Sequence, residues 1–484
     1  MVVKESADIP IIASVGGSRQ LHRLLDSHIN TVLGCVTWEL IEPVEGEFDF
    51  TELDLNIQTA RQHGIHLILL WFGAFKNEVD EAYSTVIMVQ VENEVGLLGD
   101  SRDRCEAANE AFGQPVPFEL VNHFKTNWAS LHPDLRANLA SAEPTLFSER
   151  DCSHSTWEQL FGKTAATDEL FMAYHYALYV NGVASAGKAA YPLPLFTNVW
   201  QNYAEGGSSE STVAAGGGTP GDYPSGGGTS TVLDIWHRFA PTLDFIAPDI
   251  YLNDYSKTCQ KYRHGGQPLF IPEQRRDGVG ARASWVAIGT FAALGVSPFG
   301  VDTLYASENE YSKHYHLMAT TSEIILEAQR KPGSSIGFYF EVNSPTAGMS
   351  SHSSYRPIVQ LWGDYEIIIE RAFVFGEPGP GAGMVIWQQG SSRFLLIGWG
   401  FQVRARSVAP GATFTGILRF QEKTVVNKDT GGLKTLRTLN GDETRSGQFA
   451  IMPNDNPDYG GFPIAVTIPA RTGIAEVEFY SLYA

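Results

Sequence analysis

Eight short apolar runs recur through the first 330 residues, and most are separated by stretches with helical periodicity. The runs are Pro10 to Val15, Thr31 to Trp38, His66 to Phe72, Thr85 to Val91, Leu193 to Val199, Phe245 to Tyr251, Pro268 to Glu273 and Val296 to Val301. Helices are expected over Leu53 to His63, Asp168 to Ala186 with Phe171, Tyr174 and Leu178 on one face, Val232 to Phe239, Ala283 to Leu294, and Lys313 to Gln329. Parallel strands need a crossover of a dozen residues or more, so this alternation points to an α/β fold with a parallel sheet under helices. Eight such units closing on themselves form the (β/α)8 TIM barrel.

After Arg330 the pattern changes. Lys331-Pro332-Gly333 punctuates the chain, and the remainder reads as short strands separated by Gly, Pro, Asn and Asp turns. They are expected at Glu366 to Ile369, Gly383 to Trp387, Phe394 to Gly398, Thr415 to Phe420, Phe449 to Met452, Ile464 to Ile468 and Ala475 to Tyr480. The expected organisation is a catalytic barrel over 1–333 and an all-β, sandwich-like domain over 334–484.

Composition narrows the partners. With 34 Lys+Arg against 54 Asp+Glu, the net charge of −20 repels phosphate backbones and anionic lipid, which excludes a general nucleic-acid or membrane-surface role. Small neutral substrates stay compatible, and the 12% aromatic content suits stacking on sugars. No apolar stretch approaches the roughly 20 residues of a membrane span. Cys35, Cys105, Cys152 and Cys259 are scattered, without zinc spacing, and no Asn-x-Ser/Thr sequon occurs. A cytoplasmic location is expected from the start as written, and secretion if that start is misassigned. The glycines of Glu205 to Thr229 lack the Lys-Ser/Thr of a phosphate cradle, so this stretch is expected to be a flexible loop at the barrel's active face.

Reacting groups in such a barrel sit at the C-terminal ends of strands. Strand four runs into Glu92-Asn93-Glu94 and strand seven into Glu273. Two carboxylates across a pocket suit glycoside hydrolysis, with retention when they lie about 5 to 5.5 Å apart and inversion at roughly 6.5 to 9.5 Å. Glu92 rivals Glu94 because it shares its strand parity. Trp38, Glu39, Trp71, Lys76, Asn77 and Tyr251 lie at or just beyond other strand ends and are candidates to line a sugar pocket. Arg275, Arg276 and Asp277 are expected to form loop ion pairs.

Thr37-Trp38-Glu39-Leu40-Ile41-Glu42-Pro43-Val44-Glu45-Gly46-Glu47-Phe48-Asp49-Phe50, Leu69-Leu70-Trp71-Phe72-Gly73-Ala74-Phe75-Lys76-Asn77 and Gln90-Val91-Glu92-Asn93-Glu94 together resemble the β-galactosidases of glycoside hydrolase families 35 and 42. The resemblance implies a retaining barrel with a β-rich C-terminal domain, Glu94 as acid/base, Glu273 as nucleophile and Asn93 bonding the sugar's 2-hydroxyl. It implies no cofactor or metal, and a terminal β-galactoside as substrate. A homo-oligomer is compatible with it.

Two departures stand out. Only the seven residues 78–84 separate Asn77 from Thr85, too few for a crossover helix, so the third helix is expected to be missing. Where the subgroup carries Gly-Gly-Glu and then Asn, this chain has Gly16-Gly17-Ser18-Arg19-Gln20. The alternative to a working hydrolase is therefore a catalytically impaired, carbohydrate-binding relative that has lost substrate-positioning segments; a metal-dependent barrel hydrolase ranks third.

Overall fold

The computed structural model describes residues 12–15, 21–36, 41–71, 85–139, 154–202, 217–300, 309–341, 356–372, 379–441, 443–454 and 470–484. Six strands, β1 (Ile12–Val15), β2 (Thr31–Val36), β3 (His66–Trp71), β4 (Val86–Val91), β5 (Leu195–Trp200) and β6 (Phe245–Asp249), form one parallel sheet in chain order. The parallel pair β7 (Ile271–Gln274) and β8 (Val296–Pro298) continues it through a bridge between Ile250 and Gln274, and β8 lies against β1. Each expected apolar run thus overlaps a parallel strand, with β5 and β7 running one residue past the expected ends. Side chains alternate between faces: Leu33, Ile68, Leu70, Met88, Phe196, Phe245, Ala247 and Phe270 pack together on the inside, while Leu67, Leu69, Val89 and Val91 join the core beneath the helices. Such an order and filled interior are what a (β/α)8 barrel requires.

Helices α1 (Leu21–Asp26) and α2 (Thr51–Gln62) follow β1 and β2. The long β4-to-β5 connection carries α3 (Glu106–Phe112), α4 (Phe118–Asn127), α5 (Pro133–Asn138), α6 (Trp157–Phe161) and α7 (Ala165–Ala190). Helix α7 buries Leu170, Phe171, Ala173, Ala177, Val180 and Ala184, whereas Leu178 is exposed, so the expected Phe171–Tyr174–Leu178 face is corrected. Helices α8 (Leu233–Phe239), α9 (Tyr255–Lys261) and α10 (Gly278–Gly289) follow β5, β6 and β7. The single helix expected over Lys313 to Gln329 is broken at Thr321 into α11 (Glu310–Thr320) and α12 (Ser322–Gln329). The crossover residues 78–84 and the segment 16–20 lie outside the described residues. No helix among the described residues is long and apolar enough to cross a membrane.

From Ser335 onward, antiparallel strands form two sheets, of four strands and of six. Phe338, Ile367, Ile369, Val385, Phe394, Leu396, Phe401 and Val403 fill the space between them. The expected run Ile464 to Ile468 lies outside the described residues. The six-stranded sheet meets α10 through β9 (Ser335–Phe340) and β10 (Gly381–Trp387). Backbones nearly touch there, since a Cβ on Gly337 would lie 1.7 Å from the Trp285 carbonyl oxygen. Gly337→Ala should therefore lower the denaturation midpoint by an equivalent of about 1–3 kcal/mol, measured by urea unfolding.

Histidines cluster around Asp234, which accepts the backbone N–H of His132 at 2.6 Å and bonds His264 Nε2 at 2.8 Å. Burial holds the imidazoles of His123, His132 and His237 below their ordinary value. The unfolded chain then binds protons that the folded chain refuses, so stability falls as pH drops beneath 6.5 toward the depressed folded values. The buried carboxyls act in the opposite sense, so the histidine part is read as a difference: between pH 7.5 and 5.5 His237→Gln should lose less melting temperature, or gain more, than the unmodified protein.

Candidate active site

Strand β4 ends at Val91, and the next turns are unusual: Glu92 has φ of 60° and Glu94 of 45°, both left-handed. Non-glycine residues hold this conformation only where their surroundings over-determine it. Here buried Gln90 donates from Nε2 to the Glu92 carbonyl at 3.1 Å and to Asn93 Oδ1 at 3.2 Å. From β5, Asn198 accepts the Glu94 N–H at 2.8 Å and donates to Asn93 Oδ1 at 3.2 Å and Asp249 Oδ2 at 2.8 Å. Left-handed backbone breaks the strand's alternation, so equal parity no longer gives Glu92 and Glu94 equal directions. Glu92 accepts the hydroxyl of Tyr179 on α7 at 3.0 Å. Glu94 turns toward the ends of β6 and β7, where one oxygen each of Glu94, Asp249 and Glu273 lie within 4.8 Å of one another.

Glu273 is fixed from two sides. Tyr251 donates to its Oε2 at 2.7 Å. The next residue, buried Gln274, donates from Nε2 to Tyr311 Oη at 2.8 Å, Ser284 Oγ at 3.0 Å and the Gly280 carbonyl at 3.1 Å, and accepts from Tyr255. That network pins the end of β7, and with it the carboxylate one residue earlier.

Burial raises the Glu94 carboxyl above its ordinary value, partly offset by the neighbouring Asp249 carboxyl. Burial also pushes Glu273 up to about 7, opposed by the Tyr251 hydrogen bond and reinforced by the charge of Glu94. Asp249 rises well above the carboxylate range through burial first, then through the charges of Glu273 and Glu94. Three acids packed this tightly cannot all ionise, so the pocket retains protons at neutral pH. Tyr251 is pushed up by burial and by Glu273, which keeps it a donor. The arrangement can present a nucleophilic carboxylate beside a proton-bearing one. By spacing alone, the same three oxygens could also hold a divalent cation.

Of the expected pocket residues, the structure brings Glu94, Glu273, Asn93 and Tyr251 together. Trp38, Glu39, Lys76 and Asn77 lie outside the described residues, and for Trp71 only the backbone at the end of β3 is described. Arg275 pairs with Asp277, and Arg276 donates to the Gly300 carbonyl at 3.2 Å. Asp249 and Asn198 are additions that the motifs did not point to. Both are buried polar residues near the C-terminal ends of apolar strands, the signal that marks Glu94 and Glu273.

The glycine stretch requires a correction. Residues 203–216 lie outside the described set, but 223–229 are buried rather than a flexible loop. A Cβ on Gly226 would meet Met172, one on Gly227 the Val95 carbonyl oxygen, and one on Gly228 the Ile246 side chain. Ser225 pairs with Leu97, Trp236 Nε1 donates to the Gly226 carbonyl at 3.0 Å, and Glu169 accepts the Tyr223 hydroxyl at 2.8 Å. The glycines permit close approach to the chain leaving Glu94. Glu169→Ala should remove this clamp and lower the melting temperature, measured by thermal unfolding.

Two family models match the chain. The glycoside hydrolase family 42 model, described as Beta-galactosidase, matches residues 18–71, and a domain of unknown function, DUF5597, matches residues 311–451. No curated protein matches. Among solved structures, a catalytic mutant of the GH42 β-galactosidase Gan42B from G. stearothermophilus is 15% identical, with 66% of this chain and 58% of that one covered at a TM-score of 0.39. A β-galactosidase from the psychrophilic Marinomonas ef1 gives 15%, 66%, 60% and 0.39, and one from the haloarchaeon Halorubrum lacusprofundi gives 15%, 66%, 58% and 0.36. The chain thus spans about three fifths of the length of these proteins. Residues 18–71, which contain the first resembling motif and end before Glu94, are similar to the family 42 β-galactosidases.

Proposed function

We propose that this chain is a retaining glycoside hydrolase that removes terminal β-galactosyl residues, with Glu273 as nucleophile and Glu94 as acid/base. The observation that carries this reading is that a Glu94 oxygen and a Glu273 oxygen lie within 4.8 Å of one another, which matches the short separation of retaining pairs better than the roughly 6.5 to 9.5 Å of inverting ones. In the first step a Glu273 oxygen attacks the anomeric carbon while Glu94 gives its proton to the departing glycosidic oxygen, leaving a glycosyl ester and a free alcohol. In the second, Glu94 takes a proton from water, the water oxygen attacks the anomeric carbon and the ester bond breaks, restoring Glu273 and releasing the sugar with its original configuration. Tyr251 holds Glu273 in line. Asn93 spends its oxygen on Gln90 and Asn198, and its amide N–H is assigned to the 2-hydroxyl.

Galactose specificity rests on the family 42 match over residues 18–71 and on the resembling motifs, including the family 35 likeness. Trp38, Glu39, Trp71, Lys76 and Asn77 are assigned to the sugar pocket on the same ground. A closed (β/α)8 barrel over 1–333 followed by a separate β domain over 334–484 belongs to this reading too.

The test is hydrolysis of a nitrophenyl β-galactoside, with the anomer first released identified by NMR. Release of the β-anomer, unaffected by chelator, supports the reading. The α-anomer would overturn retention, and loss of activity on chelation would favour a metal-dependent hydrolase. Sugar binding without release would favour the impaired relative.

A further inference from the structure

Asp249 is almost entirely buried at 2% exposure, and it sits between the two glutamates. Its Oδ2 accepts a hydrogen bond from Asn198 Nδ2 at 2.8 Å. Its Oδ1 is equally buried and receives no donor among the described residues. The groups around it explain why. From the end of β4 comes the Glu94 carboxyl, within hydrogen-bonding reach, and from β7 the Glu273 carboxyl. From β5 comes Asn198, whose amide is spent on Asp249 Oδ2 and Asn93. On the Asp249 chain itself Tyr251 donates to Glu273, and Tyr262, just past α9, donates to the Gly228 carbonyl at 3.0 Å. A bare anionic oxygen buried in a pocket with two other acids, and with no donor among the described residues, is a costly arrangement. A proton on that oxygen turns the clash into a bond.

Resting on the hydrolase reading above, we propose that Asp249 is kept as a neutral carboxylic acid that donates a hydrogen bond from Oδ1 to Glu94, making it a positioning residue for the acid/base. The bond strengthens as Glu94 loses its proton to the leaving group, because a charged acceptor bonds more strongly than a neutral one, so it favours the transition state over the ground state. When water attacks in the second step, Glu94 takes that water's proton. The Asp249 proton stays in place throughout and the proton count closes.

The sign of a pH shift tests this. Asp249→Asn replaces one neutral donor by another; kcat should fall several-fold while both limbs of the kcat/KM profile stay where they are. Asp249→Ala removes the donor without removing a charge, so the alkaline limb set by Glu94 should move up by about one pH unit. Were Asp249 ionised, either substitution would remove a negative neighbour and move both limbs down, which would overturn the proposal. A second readout is independent of turnover. The infrared spectrum at pH 7 should contain a protonated-carboxyl C=O band that shifts with ¹³C-aspartate, not with ¹³C-glutamate, and disappears in Asp249→Asn. No such band, or one that follows only the glutamate label, would refute the proposal. A band with the aspartate signature in a protein that hydrolyses no glycoside would leave Asp249 a neutral acid and remove the hydrolase reading.

Discussion

Glu273→Gln should lower turnover of a nitrophenyl β-galactoside by on the order of 10⁴-fold or more, because an amide cannot form the glycosyl ester on which the proposed two-step route depends. Tyr251 can still donate to the amide oxygen, so the substitution should leave the fold intact. Stability should in fact rise. Burial pushes Glu273 up to about 7 from the ordinary 4.5, so between those values the folded chain holds a proton that the unfolded chain has released. Stability then falls as pH rises through that window, and it stays reduced above it. Glu273→Gln removes the penalty, so its melting temperature should exceed that of the unmodified protein at pH 8, with the gain vanishing below pH 4.5. A variant both inactive and less stable at pH 8 would contradict this account. Glu94→Gln should cost about 10²–10⁴-fold, and less with a nitrophenol leaving group, which departs without full protonation. The pH profile of the unmodified protein should be bell-shaped, its acidic limb displaced toward 7 by the burial of Glu273.

Glu341→Ala should destabilise the protein by about 3–5 kcal/mol, the cost of leaving a buried charge without its partner. Glu341 receives both arms of Arg282, Nε to Oε1 at 2.7 Å and Nη2 to Oε2 at 2.8 Å, with side-chain exposures of only 8% and 14%. The pair ties α10 to the chain leaving β9, beside the Gly337 contact and the hydrogen bond from Trp285 Nε1 to buried His314. Replacing both charges, as in Arg282→Met with Glu341→Leu, should recover most of the loss, since no uncompensated ion remains. Urea unfolding of Arg282→Met, Glu341→Leu and their double variant gives the coupling directly. A purely additive result would show that the pair contributes nothing as a pair. Helix α10 begins four residues after Gln274, so a loosened α10 should also lower turnover.

Much of the fold is legible in the chain because its signals are local. Apolar runs of strand length, period-two alternation and glycine-proline punctuation are properties of neighbouring residues, and they locate all eight parallel strands and the switch to β structure after Arg330. The same local logic marks Glu94 and Glu273, since both follow apolar strands at their C-terminal ends. Helix boundaries fared less well where packing chose them: α7 buries alanines rather than Leu178, and Thr321 divides one expected helix into two.

The sequence by itself determined which strands end in carboxylates, because strand ends are written in residues a few positions apart. Only the tertiary structure decided that Glu94, and not Glu92, meets Glu273. That choice follows from left-handed backbone held by Gln90 and by Asn198, a residue 104 positions away whose side chain arrives only when β4 and β5 pair. It likewise decided that Asp249 makes the pair a trio and that the glycines after β5 serve close packing. Each of these depends on which strands become neighbours, and contacts between residues so far apart along the chain have no period for a sequence to display.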